Sequence, residues 1–429
     1  MAVDDLIRHS ASRRQVLKSL AGGAAAVGTF LSAQTSANGK SSEKRPSETE
    51  DPRQADAPSK FERQGMIYRR LGRTGLHISE IALGGSPLPD ESLLRRLIDR
   101  GVNYVDLSDS YENGNAERKM GRLWKDIGRD KIHVHTRFHL PRNFSEQSII
   151  ASVEGSLRRL AVDSIDILGI HGVENPDHVT DERILGAFEK LRGQGKFRFR
   201  GLTCHVNQHA VIPKAVESGL YDMVQVGYNV FDIQETDKNV KTYSDYLGES
   251  GIAKLIDLAH SRDVGVTAMK VLKVGGRRQN LAGAVSEGIS LHQAMIKWAL
   301  GNAKISAVVI EIMNTAEMDE DLAAAGGRLS REERRRLHTH VSARAGDYCH
   351  FCGLCQGACR QGIRTADLSR ALVYAESYGK SDRAKAAVIA ATARIPVTVC
   401  RNCGACEQAC PYGLAVRRRT GRAAALARA

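Results

Sequence analysis

Eight of the nine cysteines in this 429-residue chain fall in two short runs near its C-terminus. YCHFCGLCQGAC holds Cys349, Cys352, Cys355 and Cys359, and VCRNCGACEQACPYG holds Cys400, Cys403, Cys406 and Cys410. Each run has the spacing C-x2-C-x2-C-x3-C, by which thiolates ligate [4Fe–4S] cubanes. Three close-spaced thiolates wrap one cubane, and the fourth, a turn further on, points towards its neighbour. The spacing therefore predicts crossed ligation of two [4Fe–4S] clusters. Cys349, Cys352, Cys355 and Cys410 hold one, and Cys400, Cys403, Cys406 and Cys359 the other. All-cysteine zinc sites use two separated thiol pairs, and a disulfide framework explains the repeat less well still. Proline follows Cys410, whereas Arg360 follows Cys359, which removes no ligand. Such a pair of clusters relays single electrons and binds no substrate, so any bond chemistry has to lie upstream.

Four polar residues upstream sit where apolar runs end. Asp106 lies in NYVDLSD, Arg137 in KIHVHTRF and His171 at the end of SIDILGIH, while Tyr111 follows in the loop after Asp106. A phenol of pKa about 10 donates a proton poorly at neutral pH unless a positive charge lowers it. Tyr111 as general acid, Arg137 as that charge, Asp106 holding Arg137, and His171 orienting a carbonyl oxygen make one workable constellation. The ninth cysteine, Cys204, is open to two readings: a buried small hydrophobe or a site-lining thiol.

For these side chains to meet, their runs must be strands that open on one face. Eight short apolar runs qualify: ISEIALGG, NYVDLSD, KIHVHTRF, SIDILGIH, FRFRGLTC, YDMVQVGY, GVTAMKVL and ISAVVI. Helical segments alternate with them, as in SLLRRLIDR, where Leu93, Leu94, Leu97 and Ile98 share a face. The alternation over residues 66–330 predicts an α/β fold, a (β/α)8 TIM barrel, with chemistry at the C-terminal ends of its strands. A doubly wound sheet is the poorer fit, since no G-x-G-x-x-G follows the first run. Residues 331–429 then form a small, mainly helical domain around the cysteines.

The remainder of the chain bears on compartment and partners. Ser12-Arg13-Arg14-Gln15-Val16-Leu17-Lys18 precedes LAGGAAAVGTFLSA, with small-residue cleavage points after Ala33 or Ala37. That pattern makes residues 1–37 a twin-arginine (Tat) export signal and the protein periplasmic or otherwise exported. The apolar stretch is too short and glycine-rich to span a membrane. Residues 38–65 are polar and read as a flexible linker. A net charge of +13 comes without basic runs interleaved with aromatics, so nucleic acid is not an expected partner. Basic AVRRRTGRAAALARA at the end suits solubility, or else a partner's acidic surface.

NYVDLSDSYENGNAERKMG resembles the signature of the aldo/keto reductase family, with Asp106, Tyr111, Glu117 and Gly121 on pattern. SIDILGIH is similar to the family's strand-four motif and places His171 at the catalytic histidine. GLTCH and MVQVGYN resemble segments that hold a nicotinamide carboxamide, which implies Thr203, Cys204, His205 and Gln225 near the ring. AMKVLKVGG looks like a subgroup in which the barrel precedes a ferredoxin-type domain, and Lys270 there is implied as a cofactor contact. The resemblance thus implies an exported oxidoreductase acting on a small carbonyl or alcohol, with a redox protein as partner.

The departures bear on NADP(H). Arg137 stands where the family carries a lysine. Glu311 and Met313 stand where small residues receive a phosphate, and Glu317, Asp319, Glu320 and Asp321 add negative charge there. Met269 replaces a stacking aromatic. An alternative expectation follows: a catalytically idle barrel that serves as a docking body for an electron-transfer module.

Overall fold

The computed structural model describes residues 60–427 apart from 142, 206–207, 231–251, 273–284, 345–348, 350–352, 377–380 and 411. The export signal lies outside the described residues, as does most of the segment expected as linker. The end of that segment is ordered instead. Strand β1 (Lys60–Arg63) pairs antiparallel with β2 (Met66–Arg70), which pairs with β3 (His77–Ser79). All four residues of β1 are exposed, so hydropathy does not separate it from a linker. It is anchored by Phe61, stacked on Tyr68 with ring centroids 5.0 Å apart, and by Lys60, 3.5 Å from the Glu80 carboxylate.

This small sheet closes one end of a barrel. Leu71, Leu76 and Ile78 enter the interior and pack with Tyr104, Ile167 and Met223. Arg69 locks the plug through the buried Glu80 carboxylate at 2.5 Å and the carbonyls of Leu300 and Ile305 at 2.8 Å.

All eight apolar runs become barrel strands. They are β4 (Ile81–Gly84), β5 (Tyr104–Asp106), β6 (His133–Phe138), β7 (Ile165–Ile170), β8 (Phe197–Cys204), β9 (Met223–Gly227), β10 (Gly265–Met269) and β11 (Ala307–Ile310). Each is parallel to the next, and β11 pairs with β4 to complete the ring. Outside it lie α1 (Glu91–Asp99), α2 (Asn115–Ile127), α3 (Glu146–Leu160), α4 (Glu182–Gly193), α5 (Gln208–Glu217), α6 (Ile252–Ser261), α7 (Leu291–Leu300) and α8 (Thr315–Leu322). Strand residues alternate in direction. Leu83, Val105, Leu168 and Leu202 join the helix-facing core, and Ala82, Tyr104, Ile167 and Val309 fill the interior.

The next helix, α9 (Arg331–Arg344), buries Leu337 against Leu291 and Met295. It thus packs on α7 of the barrel. The helix is strongly charged, and this one apolar anchor gives the sequence little to read.

The cysteine-bearing module comprises α10 (Leu354–Gly357), α11 (Thr365–Glu376), α12 (Ser381–Thr392), α13 (Ala405–Gln408) and α14 (Val416–Leu426). Helix α11 packs on α12 and α14, and α10 on α13. The basic C-terminal stretch is thus a packed helix and not a solubilising tail. Val416 and Ala423 are buried, Arg417 pairs with Glu407 at 2.9 Å, and Arg422 pairs with Glu376. The module touches the barrel where Arg383 of α12 donates to the Ser86 hydroxyl at 3.2 Å, just after β4.

Candidate active site

The interior of the barrel turns from apolar to polar towards the C-terminal ends of its strands. In register, Asp106 lies beside His135, and Thr203, Gln225 and Thr267 form a row across three strands. His135 is wholly buried. Its Nδ1 faces the Tyr104 hydroxyl at 3.0 Å and Asp106 Oδ1 at 3.2 Å. The ring fits because β7 offers no side chain there: a Cβ on Gly169 would meet His135 Nε2 at 2.5 Å.

Above His135 lies Arg137, 1% exposed and saturated with partners. Its Nη2 donates to Asp106 Oδ2 at 2.6 Å and to the Tyr111 hydroxyl at 2.7 Å. Nη1 donates to Gln225 Oε1 at 2.9 Å and Thr203 Oγ1 at 3.2 Å, and Nε to the Leu107 carbonyl at 3.0 Å. A planar fork suits five acceptors in fixed directions better than a lysine ammonium. Burial works against the guanidinium's charge, but Asp106 and Tyr111 outweigh it and its pKa lies above the ordinary value.

Tyr111 reaches this cluster through a strained loop. Glu112 (φ 51°), Asn113 (φ 55°) and Gly114 (φ 78°) are successively left-handed, a conformation that costs about 1–2 kcal/mol per non-glycine residue. Lys119 offsets part of it by donating to the Glu112 carboxylate at 3.1 Å and the Leu88 carbonyl at 2.9 Å. The expected depression of the phenol is corrected by the structure. Burial raises the Tyr111 pKa, and the adjacent Arg137 charge lowers it only in part.

His171 closes β7 beside Tyr111, the two rings meeting edge to face at 5.5 Å. Burial, followed by the charges of Arg137, His205, His139 and Lys270, holds its pKa well below the ordinary 6.5, so the imidazole is neutral. Its Nδ1 lies 2.9 Å from the Ser108 hydroxyl. All four proposed catalytic side chains therefore converge. Glu117 of the signature is structural, accepting from Thr136 and from Arg159 at 2.6 Å each.

The residues implied for a nicotinamide divide. Thr203 and Gln225 line the site through Arg137. Among the described residues, Gln225 Nε2 and His205 Nδ1 are buried without a hydrogen-bond partner. Lys270, at φ 62°, sits at the end of β10 near enough for its charge to act on His171 and His205. Cys204 does not line the site. Thr203 faces inward, so the next residue on the strand faces the helices, and Cys204 is fully buried in that core. The phosphate end of a nucleotide does not fit. Glu317 Oε2 already accepts from the Met313 amide at 2.7 Å, and Asn314 caps Glu317 N at 2.9 Å. The first turn of α8 carries its own anion.

Six of the described cysteines form two groups within the module, and Cys403 is exposed outside both. Cys349, Cys355 and Cys406 are buried in one apolar cluster with Cys410 against it, while Cys359 and Cys400 pack against a second. Cys359 also lies close enough to Cys406 for its charge to act there. Gly353 and Gly404, at φ 83° and 76°, turn the two runs alike into their one-turn helices α10 and α13. Cys352 lies outside the described residues. Among those described, no three His, Cys, Asp or Glu side chains already converge as a metal-ion site. The grouping of soft thiols in apolar surroundings nonetheless suits iron–sulfur ligation.

Residues 86–284 match the aldo/keto reductase family. Most of the barrel thus matches the aldo/keto reductases. L-galactose dehydrogenase of Arabidopsis thaliana is 26% identical over 293 residues, 60% of this chain and 87% of that protein. An aldo-keto reductase from Bacillus halodurans in its holo form superposes with TM-score 0.50 at 21% identity, over 64% of this chain and 95% of its own. One from Klebsiella pneumoniae, solved with NADPH, gives 0.50 at 21%, over 63% and 93%. The family match and the curated relative indicate an oxidoreductase. The four side chains that sequence reasoning named, Tyr111, Arg137, Asp106 and His171, are brought together. That reasoning missed Ser108, whose signal was a hydroxyl two residues beyond Asp106, and His135, which shares the inward face of β6 with Arg137.

Proposed function

We propose that this chain is an exported iron–sulfur oxidoreductase that acts on a small carbonyl or alcohol. The observation that carries the reading is the single guanidinium of Arg137, which joins Asp106 to Tyr111 beside a neutral His171. Tyr111 accepts from Arg137, and its own O–H remains to be offered to a substrate oxygen. Asp106 fixes the fork of Arg137 and so the position of that hydroxyl. A raised phenol pKa keeps Tyr111 protonated at neutral pH, the form a proton donor needs.

Two [4Fe–4S] clusters would be held by Cys349, Cys352, Cys355 and Cys410, and by Cys400, Cys403, Cys406 and Cys359, in a ferredoxin-type module. When bound they supply one-electron transfer. The contact of Arg383 with Ser86 supports a module that works beside the barrel mouth, from which electrons pass to or from a redox protein partner. Export through the Tat machinery to the periplasm rests on the Arg13-Arg14 signal alone. It agrees with a helix α8 that fills its own anion site, since an exported enzyme has no nicotinamide pool to draw on.

The test is an anaerobic titration of the mature, cluster-loaded protein with NADPH and NADH, following iron–sulfur absorbance and nucleotide binding together. Weak or absent nucleotide binding, with turnover of an aldehyde or alcohol coupled to an artificial one-electron carrier, is the expected result. Tight NADPH binding with no electron flow to the clusters would sink the relay. Loss of turnover in Tyr111→Phe is required, because unchanged turnover would make the barrel idle.

A further inference from the structure

Arg383 reaches the barrel mouth from the cysteine module. The turn that follows β4 lies against the catalytic tyrosine: a Cβ on Gly85 would stand 3.6 Å from Tyr111 Cδ2, and the Gly85 amide donates to the Asp106 carbonyl at 2.9 Å. The next residue, Ser86, accepts from Arg383 Nη1 at 3.2 Å. The Arg383 guanidinium also lies over the Tyr374 ring of α11, 4.7 Å from its centroid. A hydroxyl and an aromatic face hold the group without cancelling its charge. Among the described residues no carboxylate pairs with Arg383, yet the side chain stands near enough for its charge to act on Tyr111.

The carboxylates around Tyr111 have partners of their own. Asp106 has Arg137 at 2.6 Å, Asp109 has His139 at 2.8 Å, and Glu112 has Lys119 at 3.1 Å. The fixed charges that act most on His171 and His205 are cationic: Arg137 and Lys270 on both, and Arg370 of α11 on His205. Tyr111 and His171 address only the oxygen that reacts. A small substrate that also carries a carboxylate would bring Arg383 the counter-ion it lacks, and a planar guanidinium meets a carboxylate through two parallel hydrogen bonds.

We propose that Arg383 is a specificity residue, set by the cysteine module at the barrel mouth to receive a carboxylate, so that the substrate is a small oxo acid or hydroxy acid and not a neutral carbonyl or alcohol. This rests on the carbonyl/alcohol reading of the barrel and names the class within it. The module then has a second role beside electron transfer, because the selecting cation comes from α12 and not from the barrel.

The test uses the full-length, cluster-loaded protein and matched probes, 3- and 4-carboxybenzaldehyde against 3- and 4-carbamoylbenzaldehyde. Calorimetry reads binding, and the oxidation of reduced methyl viologen reads turnover. An acid should bind about tenfold more tightly than its amide, a difference that added salt reduces. Arg383→Gln should bring acid and amide nearly level by raising KM for the acid, and Arg383→Lys should keep part of the preference. Ser86→Ala separates recognition from docking: it removes the hydroxyl that Arg383 touches but leaves the guanidinium, and the preference should survive. No acid preferred over its amide, a preference that persists in Arg383→Gln, or equal loss in Arg383→Gln and Ser86→Ala overturns the proposal. An Arg383-dependent preference for an acid, with no turnover of either compound, leaves the anion site standing and defeats the carbonyl/alcohol reading instead.

Discussion

The barrel mouth and the cysteine module bury polar atoms in opposite ways. In the barrel mouth the buried charge is met by protein groups: Arg137 alone has five acceptors, and Asp106 lies between it and His135. In the module the thiols face apolar neighbours such as Ala366, Val373 and Leu414, and the helices that carry Cys355 and Cys406 are four residues long. Helices that short do not stand on their own propensity. One region holds its buried charge with its own side chains, and the other gathers soft thiols among apolar ones.

On the proposed iron–sulfur reading, removing iron should break the comparison most visibly. Anaerobic chelation, or Cys406→Ser, is expected to abolish amide-exchange protection across Thr365–Glu376 and Val416–Leu426. Protection in the barrel strands should persist. Equal protection in both regions would show that the thiols are not structural ligands.

Arg137→Ala is the matching lesion in the barrel. It strands the Asp106 carboxylate in the interior and should cost about 3–5 kcal/mol, read by denaturant unfolding. Arg137→Lys keeps the charge but loses the fork, and should lie between the two.

Acid should separate the regions further. His135, His171 and His205 all have lowered pKa values, burial being the largest cause in each. The unfolded chain then binds more protons below pH 6.5. Barrel stability is full above that value and falls as pH drops from 6.5 towards the depressed values, by up to about 1.4 kcal/mol per unit for each histidine. Unfolding at pH 7.5 and 5.5, repeated with His171→Asn, checks this. The smallest expected effect is at α8, where Glu317→Ser should tighten NADPH binding about two- to fivefold by freeing the Met313 amide.

The eight strands and the four converging residues were legible because strand alternation and strand ends are local signals. Cys204 was legible too, had the two-residue period been carried one step past Thr203. The plug strand β1 was not, since all its residues are exposed. The direction of the Tyr111 shift was not either, because it depends on how fully the loop buries the ring, and no motif states that. Arg383 lies almost 300 residues from Ser86 in the chain, and only the packed module brings them together.

The plug has one more consequence. Because β1 to β3 close the end of the barrel opposite the mouth, the described chain starts on the face furthest from Tyr111. A tether attached ahead of Lys60 works as a handle at the back of the molecule. Fixed to an electrode by that handle, the protein would present its mouth to the solution.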